Sequence, residues 1–159
     1  MEFTFAQLRE AEKVDLGASS WMPIDQSRID AFAEATDDRQ WIHIDPDRAK
    51  KSQWGNTIAH GFLLVSVVPR LFTELFRVPE AKMLVNYGVD KIRFIHPVPC
   101  NSAVQLACRI ASVKERAGNM LVRVRGELSS RALEDEGDTR RSVLLDILFL
   151  VVPPDPETA

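Results

Sequence analysis

Asp38 and His43 stand five positions apart in the stretch FAEATDDRQWIHID, and the residues between them break the apolar spacing of the segment before them. A carboxylate at a helix end and an imidazole on the following bend can be aimed at one point. If that point holds a water, the imidazole can take its proton while the carboxylate holds water and ring in place. This is acid–base chemistry suited to a pH near the imidazole's own pKa. The plainer reading of the same two residues is that Asp38 caps a turn and His43 is a partly buried, hydrogen-bonded histidine.

Further on, Ile58-Ala59-His60-Gly61 opens a strongly apolar run through Phe62, Leu63, Leu64, Val65, Val67, Val68, Leu71, Phe72, Leu75 and Phe76. A helix apolar on nearly every face is expected to be buried. Its first turn offers free backbone N–H groups and the positive end of the helix dipole. Glycine at that place lets a ligand reach the backbone, where a carbonyl oxygen gathering negative charge would be stabilised. The plainer reading is that Gly61 serves only close packing of helix on sheet.

These residues need elements to hold them. Asp25 is a good N-cap for a helix through Ile29, Phe32, Ala33 and Ala35, with Ile24 placed to staple its start. That helix delivers Asp38 at its far end. A short candidate helix from Phe5 to Val14 precedes it, and ASSWMPI reads as an extended entry. Asp45-Pro46-Asp47 starts a short polar helix through Lys51, with proline at its first position. Trp54 and Gly55 follow in a loop that could shape a pocket entrance. The apolar helix is expected from about Gly61 to Arg77, kinked at Pro69.

From Ala81 the period changes to that of strands. KMLVNYGVDKIRFIH, SAVQLACRIASVKERA, NMLVRVRGELSS and RRSVLLDILFLVV are four candidates, with Gly118-Asn119 marking a hairpin. EDEGDT at 134–139 reads as a solvated tip. The order is α+β: one apolar helix, then several antiparallel strands. With 159 residues the chain suits a single domain, expected over residues 1–153, with residues 154–159 as a disordered tail.

Composition narrows the function. A net charge of -3 argues against nucleic acid as partner, and the apolar run, broken by Pro69, Arg70, Thr73 and Glu74, is too short and polar for a membrane span. No N-terminal signal is visible in MEFTFAQLREAEK. Cys100 and Cys108 lack metal-site spacing and read as reduced thiols of a cytoplasmic protein.

FAEATDDRQWIHID followed by IAHG resembles the hydratase motif of the MaoC-like dehydratases, the group of the R-specific enoyl-CoA hydratases, and QWIHID resembles its nodulation-protein-N branch. Phe32, Ala33, Asp38, His43, Asp45, Ala49, His60 and Gly61 fall in register. VNYGVDKIRFIHPVP at 85–99 resembles the family's strand after the central helix. The resemblance implies a hot-dog fold, a curved antiparallel sheet wrapped around a long central helix, and a homodimer. It implies hydration of a trans-2-enoyl-CoA to the R-3-hydroxyacyl-CoA, or the reverse. Asp38 and His43 would be the catalytic pair, Gly61 the oxyanion amide and Asn86 a pocket-lining residue. The coenzyme A thioester is then the substrate, with no metal and no further cofactor. Asp37, Arg39 and Gln40 depart from the family's usual wording, and an extra carboxylate beside Asp38 would disturb its acidity unless Arg39 compensates. Two other classes stay open: an acyl-CoA or acyl-carrier binding subunit without turnover, and a hot-dog thioesterase.

Overall fold

The computed structural model describes residues 1–135 and 137–155. Helices α1 (Phe5–Arg9), α2 (Gln26–Thr36), α3 (Trp41–Ile44), α4 (Pro46–Ala49), α5 (Gly61–Ser66) and α6 (Val68–Leu75) share the described residues with strands β1 (Asp15–Ala18), β2 (Met22–Ile24), β3 (Met83–Phe94), β4 (Ser102–Arg116), β5 (Asn119–Ala132) and β6 (Arg140–Val152).

The strands form one antiparallel sheet in the order β1-β4-β5-β6-β3, with β2 also pairing along β4. In β5 the alternation is clean: Met120, Val122, Val124 and Leu128 are buried while Arg123 and Arg125 are not. Such alternation fixes register, because a one-residue slip would turn every apolar side chain to water. The β4–β5 hairpin turns on Ala117 and Gly118, both with positive φ, one residue earlier than the Gly118-Asn119 turn expected. Two positive φ values suit a two-residue turn whose twist matches that of the strands.

The sheet curves around α5 and α6, as expected, and one core fills the space. Phe72 stacks on Phe149 of β6 with centroids 4.2 Å apart and planes 6° apart, and on Phe76 at 5.0 Å. Leu71 and Phe72 are fully buried, joined by Leu8, Ile24 and Ile29. Asp25 caps α2 by accepting from the Arg28 amide, as its residue type predicts.

Several expectations are corrected. The central helix is not continuous from Gly61 to Arg77: α5 ends at Ser66, Val67 breaks the run, and α6 starts at Val68 with Pro69 in its first turn. Val67 keeps right-handed helical dihedrals, donates to Leu63 O at 3.1 Å and accepts from the Leu71 amide at 3.2 Å, so the interruption is a local one beside Pro69, where a kink was expected. Nor is this helix buried all round. Phe62 is 65% exposed, and Ser66, Arg70, Thr73 and Glu74 face outward. The first helix is shorter than Phe5 to Val14, and α3, a single turn carrying His43, was not foreseen. The expected tail at 154–159 lies mostly outside the described residues; within them Asp155 pairs with Lys82 at 2.7 Å.

Candidate active site

Two short helices and a loop bring the chemistry together. Asp37 ends α2 in the left-handed conformation, φ 58°, and turns the chain so that Asp38 leaves the helix toward solvent. Glycine suits that position best, because an L-residue there carries a steric cost that Asp and Asn tolerate better than most. Arg39 then pairs with Glu34 at 2.7 Å and with Asp37 at 3.5 Å. Asp37 is therefore answered by a cation, on the outside of the turn. Gln40 opens α3 by accepting the His43 amide, 2.9 Å away. The three positions that depart from the motif shape this turn from its exposed face.

His43 is 7% exposed. Its Nδ1 lies 2.7 Å from the carbonyl oxygen of Ile58. A carbonyl only accepts, so Nδ1 carries the hydrogen and Nε2 is left with the lone pair that a base requires. Ile58 is itself pinned, its amide donating to Ile42 O at 3.0 Å, and the neighbouring Ala59 amide donates to Val98 O at 2.8 Å. Burial pushes the His43 pKa below its usual range. The His60 ring adds to this, while the Ile58 carbonyl and the Asp38 carboxylate oppose it.

His60, 2% exposed, stacks on His43 with centroids 3.7 Å apart and planes 25° apart. Its Nε2 donates to the backbone carbonyl of Asp38 at 2.9 Å. Ligand-type atoms of Asp38, His43 and His60 all lie within 4.8 Å of one another. Such a trio could hold a metal by composition, and a second ring nitrogen bonded to a carbonyl, as both rings have, is compatible with that. The same three groups are equipped for acid–base work.

Gly61 is the first residue of α5, so its amide has no acceptor within the helix. It shares a cavity of about 440 Å³ with His43, Trp54, Phe94, His96 and Val98. A Cβ at Gly61 would sit 2.8 Å from the Phe94 ring. The packing reason for glycine thus holds, and Gly61 lines the same cavity as His43. Phe94 meets Phe62 edge-on at 5.9 Å and is 49% exposed. A larger groove of about 680 Å³ lies along Arg70, Arg77 and Met83 and holds none of the acid–base residues.

Asp38, His43 and Gly61 are brought to one neighbourhood; Asn86 is not. It is exposed on the edge strand β3, eight residues before Phe94, or about 26 Å at the usual rise per strand residue. The cavity is lined by the other end of that segment, Phe94 to Val98. His60 is the residue given no role from sequence. Seventeen positions separate it from His43, and no periodic signal joins them. Its place beside Gly61, in a run of otherwise apolar residues, and its register with the family motif were the available hints.

Residues 8–132 match the family described as MaoC like domain. Over 147 residues the chain is 38% identical to 3-hydroxyacyl-thioester dehydratase Z of Mycobacterium tuberculosis, covering 92% of this chain and 95% of that protein. It is 39% identical over 123 residues to nodulation protein N of Rhizobium leguminosarum bv. viciae, covering 76% of each. Among solved structures, the unliganded R-hydratase PhaJ1 from Pseudomonas aeruginosa superposes with a TM-score of 0.68 at 19% identity, over 94% of this chain and 85% of that one.

Proposed function

Because this chain belongs to the family of MaoC-like dehydratase domains and carries its hot-dog fold, we propose that its general hydratase or dehydratase role takes the form of enoyl thioester hydration. The substrate is a trans-2-enoyl-CoA and the product the R-3-hydroxyacyl-CoA, with the reverse dehydration equally served. Water loses a proton to His43 Nε2 while Asp38 holds it, its oxygen bonds to C3, and the proton is returned to C2 as the thioester enolate collapses. One acid–base centre then delivers both parts of the water, and no atom is left over. The Gly61 amide would meet the thioester oxygen as negative charge gathers there. The observation that carries this reading is the convergence of Asp38 and His43 polar atoms, within 4.8 Å, beside a cavity that His43 shares with Gly61.

The exposed side chains of β3 support a homodimer. Met83, Val85, Tyr87 and Val89 are 37–46% exposed along an edge strand, which natural sheets pair or cover. Asn86 would serve a site only from a second copy. Light scattering should give twice the chain mass. Among the described residues no helix is long and apolar enough to cross a membrane, and the reading places the enzyme in the cytoplasm with the coenzyme A thioester pool.

The test is a panel of trans-2-enoyl-CoA substrates of increasing length, followed by the fall in absorbance of the conjugated thioester and by chiral analysis of the product. R-3-hydroxyacyl-CoA is expected. Release of free thiol would point to a thioesterase, and tight binding without turnover to a carrier subunit.

A further inference from the structure

His60 is spent in a way that packing and capping do not explain. It occupies the N-cap of α5, where Ser, Thr, Asp or Asn usually bond back to the helix amides, yet its side chain makes no capping bond. The ring is turned instead between Phe32 of α2, 5.1 Å away, and His43 of α3, 3.7 Å away. Only one of its nitrogens is satisfied: Nε2 donates to Asp38 O, and Nδ1 is buried with no hydrogen-bond partner among the described residues. A residue kept for burial alone would be apolar here, since an unpaired buried polar atom costs stability.

The one bond His60 makes falls on the peptide that most needs it. Asp38 lies in the irregular stretch between α2 and α3 and is exposed. The other hydrogen bond at its backbone among the described residues, from its amide to Thr36 Oγ1, is 3.5 Å long. The His60 bond is 2.9 Å and spans 22 positions of sequence.

We propose that His60 is a positioning residue for the acid–base pair, its ring bracing the His43 imidazole while its Nε2–H fixes the backbone that carries the Asp38 carboxylate. One side chain thereby sets the separation of the two groups that must share a water. This deepens the hydratase reading and rests on it. A misplacement of about 1 Å can cost about 100-fold in rate, so the value of such a brace is kinetic.

The groups around His43 are few. Asp38 faces it from the α2–α3 connection, His60 from the start of α5 and the Ile58 carbonyl from the loop before it. Gln26 of α2 donates to the His43 backbone oxygen, and His96, across the cavity, has its Nδ1 on Arg141 O. Burial first, then His60, depress the imidazole's titration, while the Ile58 carbonyl and the Asp38 carboxylate raise it; removing His60 removes one of these influences and loosens another, so the titration is displaced.

His60→Phe keeps a flat ring and loses the donor; His60→Gln keeps a donor at a similar reach and loses the ring. We expect His60→Phe to lower kcat about 10- to 100-fold with KM within about threefold, and His60→Gln to recover part of that loss. In both, an NMR titration of the His43 ring nitrogens is displaced from its wild-type position. Wild-type kcat per folded molecule in both variants, with the His43 titration unmoved and only the melting temperature lowered, would overturn the proposal. If His60→Phe does not fold, His60→Gln decides alone, since it must still shift the His43 titration. A wild-type protein that hydrates no enoyl thioester would sink the hydratase reading instead, while the NMR arm still decides whether His60 controls His43.

Discussion

The candidate site has two unlike walls. On the inner wall His43 and His60 are nearly inaccessible, each held by a backbone carbonyl at 2.7 and 2.9 Å, and both rings lie against the loop that opens α5. On the outer wall the Asp38 side chain is in solvent, and Phe62, Phe94 and Ile95 are 65%, 49% and 43% exposed. The inner wall is held by main chain; the outer wall is made of exposed side chains. On the proposed reading, a site built this way separates its chemistry, which tolerates little displacement, from its grip on an apolar acyl chain.

The largest break in that contrast comes from the acid–base pair. His43→Ala and Asp38→Asn should each lower kcat by about 10² to 10⁴ in the absorbance assay, the usual contribution of a positioned acid or base. Their stabilities should differ. His43→Ala leaves the Ile58 carbonyl without its partner and should cost about 1–3 kcal/mol in denaturant unfolding. Asp38→Asn, on the exposed wall, should stay within about 0.5 kcal/mol of wild type.

Next in size is pH. In the proposed mechanism His43 serves as base only when uncharged, and burial foremost, with His60, holds its pKa below the ordinary 6.5. Full kcat/KM is therefore expected above 6.5, with an acid limb whose midpoint lies lower. Stability follows the same sign. The unfolded chain takes up the proton first, so His43's contribution is whole above 6.5 and lost as pH falls through the folded value. A profile from pH 4.5 to 8, with unfolding curves at the same points, checks both.

On the outer wall Phe94→Ala removes the ring lying on Gly61. Loss of an aromatic contact worth about 0.5–1.5 kcal/mol should raise KM roughly 2- to 10-fold and leave kcat nearly intact. A fall in kcat with KM unchanged would mean that the exposed wall takes part in the chemistry. The smallest effect is expected at Asp37→Gly. It relieves a left-handed φ of 58° and should stabilise by up to about 1 kcal/mol without altering turnover.

The same contrast explains how much could be read from sequence. β5 was legible because an antiparallel strand with one wet face writes its burial into every second residue, as Val122 and Val124 beside Arg123 and Arg125 do. The cap at Asp25 was legible because its chemistry is local. Asp38, His43 and Gly61 were singled out from residue type, spacing and resemblance. The contact of His43 with His60 was not, since it forms only when the loop before α5 folds back onto α3. Helix α3 has four residues, too few for a period to show. The exposure of Phe62 was missed for another reason: composition gives the apolar face of a helix, but whether the same chain covers that face depends on where the sheet stops.

The interruption at Val67 changes what the α5 entrance can offer an anion. Six residues make a rod of about 9 Å before the hydrogen-bond ladder is interrupted, and a helix's pull on an anion falls off within its first turn. Whatever pull an oxyanion feels at Gly61 must then come from the few amides of that first turn, at contact range. Altered charge on α6, at Arg70 or Glu74, should pass unnoticed by an acceptor held there, whereas a small lateral shift of the acceptor would forfeit nearly all of the benefit.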